Sequence, residues 1–166
     1  AAASANRYII EDDYDSEFRL TGKPIPSLQS MDITQKVIYI NTFTKSLSST
    51  MRISYMVLPP ELANRFLEQL SFYSCTVSNF EQYALMRFIN EGYFEKHINR
   101  MRNFYHKQRD ILLDAIKRSP LSSHVTIMEE DSGLHFLLKL KMELSDKEFM
   151  QRALQKGVKL NSLSAY

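Results

Sequence analysis

The chain is 166 residues long, 44% hydrophobic and 24% charged, which fits one ordinary globular domain or two small ones and excludes a disordered or collagen-like polymer. Only 4 glycines and 5 prolines occur, too few for a turn-rich all-β fold, and a net charge of +2 by itself implies no nucleic-acid partner. The single cysteine, Cys75, cannot form an internal disulfide, which predicts a reducing, cytoplasmic setting, and no apolar run approaches the ~20 residues of a membrane span.

Residues 1–5 are small and featureless. Arg7-Tyr8-Ile9-Ile10 reads as a short buried strand, followed at once by Glu11-Asp12-Asp13. Val37-Ile38-Tyr39-Ile40 predicts a second strand and residues 53–58 a third, stopped by Pro59-Pro60. Such near-continuous apolar runs suit strands covered on both faces by helices. Between the first two strands, residues 22–26 form an irregular loop whose two prolines fix an extended path.

After Pro60 the spacing becomes helical. Leu62, Phe66, Leu67 and Leu70 mark a helix over 61–72, and Phe80, Tyr83, Ala84 and Phe88 mark another over 78–90. Ser78 and Glu81 have the spacing of a capping box. A longer helix over 93–117 carries Phe94, Ile98, Met101, Tyr105, Leu112 and Ala115, with Pro120 beyond its end. Strands over 125–128 and 134–140 flank the polar residues 129–133, then a helix over 145–156 is closed by Gly157 at C′. Residues 158–163 read as a last strand. A boundary near Asn90 divides a sheet-and-helix part (1–90) from a long helix with a small α+β unit (91–166). Three strands cannot cover themselves on both faces, so the chain reads as a fragment of a larger fold.

Two clusters carry chemistry: Glu11-Asp12-Asp13-Tyr14 after the first strand, and Thr42-Phe43-Thr44-Lys45 after the second, followed by Arg52. Ligands in open α/β sheets bind at the carboxyl ends of strands, so both clusters are expected to face one crevice. Each also has a plain reading: an acidic run after a strand is commonly a solvated turn, and a lone lysine is commonly surface charge. The run Asp12, Asp13, Asp15, Glu17 lacks the glycine of an EF-hand loop, and the four histidines show no i,i+4 pair, so no metal site is expected.

The stretch Glu11-Asp12-Asp13-Tyr14-Asp15-Ser16-Glu17-Phe18-Arg19, then Gly22-x-Pro24-x-Pro26-x-Leu28, then residues 37–47 and Met51-Arg52-Ile53-Ser54-Tyr55, resembles the aminotransferase-like domain of the MocR subgroup of GntR-family transcriptional regulators. His97-Ile98-x-Arg100-Met101-Arg102-x-x-Tyr105, Ser132-Gly133-Leu134-His135 and Gly157-Val158 extend the likeness over residues 8–166. The resemblance implies an α/β fold, part of the large-domain sheet of the fold-type I transferases that depend on pyridoxal 5′-phosphate (PLP), followed by a small α+β domain. It implies that Lys45 forms the internal aldimine with PLP. Asp12 would keep the pyridine nitrogen protonated, and Tyr14 would bond the ring 3′-oxygen. Arg52 would pair with the phosphate, aided by a hydroxyl of Thr42 or Thr44. Asp13 points the other way by strand alternation and is given no cofactor contact.

The same resemblance implies an amino-compound effector or substrate, a homodimer, and DNA contact only through a winged-helix domain outside this chain. The rest of the phosphate cup and the substrate-gripping arginine would also lie outside it, so the fragment alone is expected to bind PLP weakly or not at all. A free-standing aminotransferase of the same fold is the alternative, but the sequence after Asp12 favours the regulator, since class I enzymes more typically follow the aspartate with proline and tyrosine. A third reading is direct nucleic-acid binding: residues 95–118 hold seven Lys/Arg against three acids, a pattern more usual for a solvated helix face.

Overall fold

The computed structural model describes residues 7–13, 15–20, 25–129, 134–141 and 143–165. Its first half is built on a three-stranded sheet in the order β1 (Ile9–Asp13), β2 (Val37–Thr42), β3 (Ser54–Val57). β1 runs parallel to β2, from Ile9 opposite Val37 to Asp13 opposite Asn41, and β3 returns antiparallel, with Thr42 opposite Ser54. The first strand therefore starts two residues later than expected and takes in all three acids. Pairing with β2 satisfies their backbone groups, and this outweighs the poor strand propensity of Glu and Asp.

Strand alternation and register sort the sheet into two faces. Val37, Tyr39, Asn41, Glu11, Asp13 and Tyr55 share one, and Ile10, Asp12, Ile38, Ile40 and Met56 share the other. The first face is covered: Val37 and Asn41 are buried. The second is open, with Ile10 67% exposed, so the expectation that these strands are covered on both faces is not met by the described residues.

The helices follow the sequence periodicity. A single turn, α1 (Phe43–Ser46), follows β2 directly; α2 (Pro60–Leu70) starts with proline at its first position, where a missing N–H is harmless. α3 (Asn79–Asn90) begins at Ser78, but the predicted capping box is not made. Its first turn closes on the Ser78 carbonyl, which accepts from Gln82 N at 3.0 Å, and Gln82 Nε2 reaches the Val77 carbonyl instead. α2 leaves Leu67 and Leu70 exposed, so its apolar stripe has no cover among the described residues.

α4 (Tyr93–Arg118) spans 26 residues, roughly 39 Å, which is enough to link the sheet to the far end of the chain. Gly92 at its N-cap has φ +73°, a left-handed conformation that glycine adopts without strain. Near its start α4 packs on α3 and on the turn Ser16–Phe18, where buried Phe18 meets Tyr105 edge to face at 5.6 Å. Near its end Leu113 and Ile116 are buried beside the turn Pro120–Ser123, which in turn contacts β4 (Val125–Met128), whose Val125 is buried. β4 pairs antiparallel with β5 (Leu137–Leu140), three residues shorter than expected.

α5 (Asp146–Gln155) is capped by Ser145 Oγ, which accepts from Glu148 N at 3.3 Å. Its end is a Schellman closure: Gly157, φ +80°, donates to the Leu154 carbonyl, and Val158 N donates to the Ala153 carbonyl, both at 2.9 Å. Residues 158–163 do not form the predicted strand. They are irregular and lead into a 3-10 turn at Leu163–Ala165. Val158 gives its N–H to the helix end, and the β4–β5 pair takes no third strand among the described residues.

Candidate functional site

Parallel pairing brings the carboxyl ends of β1 and β2 to the same edge of the sheet. The antiparallel return of β3 places its first residue, Ser54, at that edge as well. Asp12 lies opposite Ile40, two residues before β2 ends. Lys45 sits on the helical turn that follows β2, and Arg52 lies two residues before β3. The two clusters singled out from the sequence thus meet at one edge.

The acids there divide the work by alternation. On the covered face Glu11 accepts from Leu28 N at 2.7 Å and Gln29 N at 2.9 Å, which fastens the incoming loop. Asp13 accepts from Ser16 Oγ and from Tyr39 Oη, each at 2.8 Å. Tyr39 Oη accepts from Asn41 Nδ2 at 2.8 Å, and Asn41 Nδ2 also faces Glu17 Oε1 at 3.4 Å. Burial raises the Tyr39 phenol well above its ordinary range, and the Asp13 carboxylate beside it adds to the shift; burial raises Tyr55 too. Asp12, on the open face, is exposed and has no hydrogen-bond or ion-pair partner among the described residues.

The segment 42–53 is a closed loop. Thr42, extended at φ −136°, is the N-cap of α1, its Oγ1 accepting from Thr44 N at 3.2 Å. Thr44 Oγ1 donates to the Met51 carbonyl at 3.0 Å, and Phe43 N donates to the Ile53 carbonyl at 2.9 Å. The Thr42 hydroxyl lies 3.3 Å from that same Ile53 carbonyl and 3.0 Å from Thr44 Oγ1. These bonds fold Arg52 back toward the start of α1. Both threonine hydroxyls, expected as phosphate donors, are engaged inside the chain. Lys45 and Arg52 are exposed and without partners among the described residues.

Upstream, Asp32 fixes the entry to β2. One oxygen accepts from Thr34 N and Oγ1 at 2.8 and 2.7 Å, the other from Lys36 N and Val37 N at 2.6 and 2.7 Å. The Thr34 hydroxyl foremost, and the backbone N–H groups after it, lower the carboxyl to about 2.

Helix α4 grips both loops. Arg102 Nε donates to the Glu17 carbonyl just past β1, and His97 Nε2 lies 3.0 Å from the Ser46 carbonyl just past Lys45. Other cations of the basic stretch pair along the helix, Arg118 with Asp114 and Arg109 with Asp110, as a solvated face does. Sequence reasoning anticipated Asp12, Lys45 and Arg52 at one edge and Asp13 turned away. Tyr14 lies outside the described residues. Glu11, Asp13, Tyr39, Asn41, His97 and Arg102 were missed as supports. The signal for the first four was present: alternation carried three residues beyond Ile10 puts Glu11 and Asp13 on one face of the strand, as it does Tyr39 and Asn41 on β2.

Asp12, Lys45 and Arg52, without internal partners among the described residues, bring a carboxylate, an amine and a guanidinium to this edge. They match a ligand with a protonatable ring nitrogen, an aldehyde and a phosphate, which is the donor set PLP requires.

No protein-family model matches the chain. It is 48% identical over 163 residues, 98% of its length, to an uncharacterized HTH-type transcriptional regulator, YdeL, of Bacillus subtilis, of which it covers 35%. It is 38% identical over 157 residues to the probable rhizopine catabolism regulatory protein MocR of Rhizobium meliloti, matching 95% of the chain and 32% of that protein. The chain spans about a third of the length of these curated relatives. Among solved structures, the kynurenine aminotransferase of Pyrococcus horikoshii, in complex with PMP, superposes with a TM-score of 0.80 at 31% identity, over 95% of this chain and 39% of that one. The parallel β1–β2 edge, the lysine turn and the long helix thus occur in a chain similar over nearly its whole length to part of MocR-type transcriptional regulators, and with the α/β fold of the fold-type I aminotransferases.

Proposed function

We propose that the chain is the PLP-binding part of the effector domain of a MocR-type regulator, with Lys45 as the residue that holds the cofactor covalently. The observation that carries this reading is the contrast at the sheet edge. Glu11 and Asp13 are each engaged in internal hydrogen bonds, whereas Asp12, Lys45 and Arg52 have none among the described residues. Unpaired charges gathered at the carboxyl ends of strands suit a ligand better than they suit the fold.

When bound, PLP supplies an electrophilic aldehyde and a ring that accepts an electron pair from the α-carbon of an amino compound. Asp12 would accept a hydrogen bond from the ring N–H and so keep that nitrogen protonated. The planar guanidinium of Arg52 would offer two parallel donors to the phosphate. Thr42 and Thr44 hold the loop that presents Lys45 and Arg52, and a hydroxyl of either would reach the phosphate by exchanging an internal bond. Tyr14 would bond the ring 3′-oxygen. An amino-compound effector, a homodimer, a cytoplasmic setting and DNA contact through a separate winged-helix domain complete the proposal, with a domain boundary near Asn90 and α4 as the bridge across it.

A second reading, a free-standing aminotransferase, draws on the 31% identity to the Pyrococcus enzyme, but the regulator relatives are closer, at 48% and 38%. Titration of the full-length protein with PLP tests the first. Visible absorbance should develop in the wild type and vanish in Lys45→Ala, while Arg52→Gln should weaken binding about tenfold or more, as loss of a bidentate charged contact implies. Unchanged absorbance in Lys45→Ala would refute the assignment, and steady transamination of an amino acid would favour the enzyme.

A further inference from the structure

We propose that His97 is a positioning residue for Lys45, acting through the Ser46 carbonyl; this rests on the reading of Lys45 given above. α1 has a single turn, closed by a hydrogen bond from Leu47 N to the Phe43 carbonyl at 2.9 Å. So short a turn is not self-supporting and takes its orientation from what it packs against. Thr42 and Thr44 fasten its start, but the end that carries Lys45 and Ser46 is held from outside.

The outside element is the first turn of α4. Phe94 meets Phe43 edge to face, with ring centroids 5.9 Å apart, and three residues further along each helix His97 Nε2 meets the Ser46 carbonyl at 3.0 Å. Spacing of three on both sides means that one turn faces one turn, through an apolar contact and a polar one. The polar contact has a defined donor. A guanidinium has no acceptor, so Arg100 Nη2, 3.4 Å from His97 Nδ1, donates to that nitrogen, and the neutral ring then carries its proton on Nε2. Phe88, 6.5 Å from the imidazole centroid and steeply inclined to it, packs against the ring from α3. Ser46 is 2% exposed, so its carbonyl sits where a lost donor is poorly replaced by water. Five residues along α4, Arg102 holds the turn after β1, so one helix fixes both loops that flank Asp12 and Lys45.

The test compares two amides of different reach in the full-length protein. Gln at position 97 can place its nitrogen near the former Nε2, and Asn cannot. PLP is titrated into wild type, His97→Asn, His97→Gln and Lys45→Ala, with visible circular dichroism per bound PLP reporting how firmly the chromophore is oriented. His97→Asn should weaken apparent PLP affinity about five- to tenfold, the worth of one hydrogen bond, and diminish the dichroism; His97→Gln should restore both to within about threefold. If His97→Asn does not fold, His97→Phe, which keeps the contact with Phe88, takes its place. Wild-type affinity and dichroism in His97→Asn, or a Gln variant as impaired as the Asn variant, would overturn the role of His97 alone. A Lys45→Ala protein with the wild-type visible band would overturn the assignment of Lys45 and this proposal with it.

Discussion

Replacing Tyr39 with phenylalanine deletes one oxygen and breaks two hydrogen bonds beneath the sheet edge, without opening a cavity. Asp13 loses the donor at 2.8 Å but keeps Ser16 Oγ at 2.8 Å and Ser16 N at 3.3 Å. Asn41, 3% exposed, loses its acceptor at 2.8 Å and is left with Glu17 Oε1 at 3.4 Å. An under-satisfied buried donor and one lost bond to a carboxylate together cost about 2 kcal/mol, since the aromatic ring stays in place. For a protein of this size that is about 4–8 °C in Tm at neutral pH. The alkaline limb checks the cause. The folded phenol holds its proton above the ordinary value of 10.0, so wild-type stability is full below pH 10 and falls as pH rises further and the unfolded chain gives up a proton the folded chain retains. Tyr39→Phe lacks that term, and its Tm deficit should shrink above pH 10. Scanning calorimetry of both proteins across this range reads the effect; a deficit under about 1 °C at pH 7, or one that does not change with pH, would refute the reasoning.

Two further predictions concern the frame around the site. The Asp32 carboxyl is lowered from 3.8 to about 2, so its stabilisation is present above pH 3.8 and disappears as pH falls toward 2. Asp32→Asn keeps one of the two accepting oxygens and does not titrate; it should melt below wild type at pH 5, with the gap narrowing by pH 2, and a constant gap would contradict the assignment. At Gly157, φ +80° with open space around an added Cβ means that Gly157→Ala meets only backbone strain, about 1 kcal/mol. Its Tm should fall by about 2–4 °C. No loss would mean that α5 is not closed in the left-handed conformation.

The division of labour among Glu11, Asp12 and Asp13 gives the site its character. Consecutive acids on a strand alternate in direction, so one face receives two carboxylates and the other one. The pair is neutralised by backbone N–H groups and hydroxyls that fasten neighbouring loops. The single acid lies on the open side, at the same edge of the sheet as Lys45 and Arg52, which are likewise unpaired among the described residues. A fold that engages Glu11 and Asp13 in internal bonds and leaves Asp12 exposed without one has left that carboxylate available for something it does not itself contain.

The identities of the charged groups at the edge, the three long helices and the β4–β5 pair could be read directly from residue order. Hydrophobic spacing and caps act over four to seven residues, a range in which chain path does not matter. The capping box at Ser78 is not made, and the strand after Gly157 failed because the helix end claimed the Val158 N–H. The open sheet face, the partners that Glu11 and Asp13 find, and the hold of α4 on both loops arose only on folding. They depend on register and on meetings such as Asp13 with Tyr39, Glu11 with Leu28 and His97 with Ser46, which stand 26, 17 and 51 residues apart. No local preference encodes which distant donor a carboxylate or carbonyl will find; the packing of the chain against itself decides that.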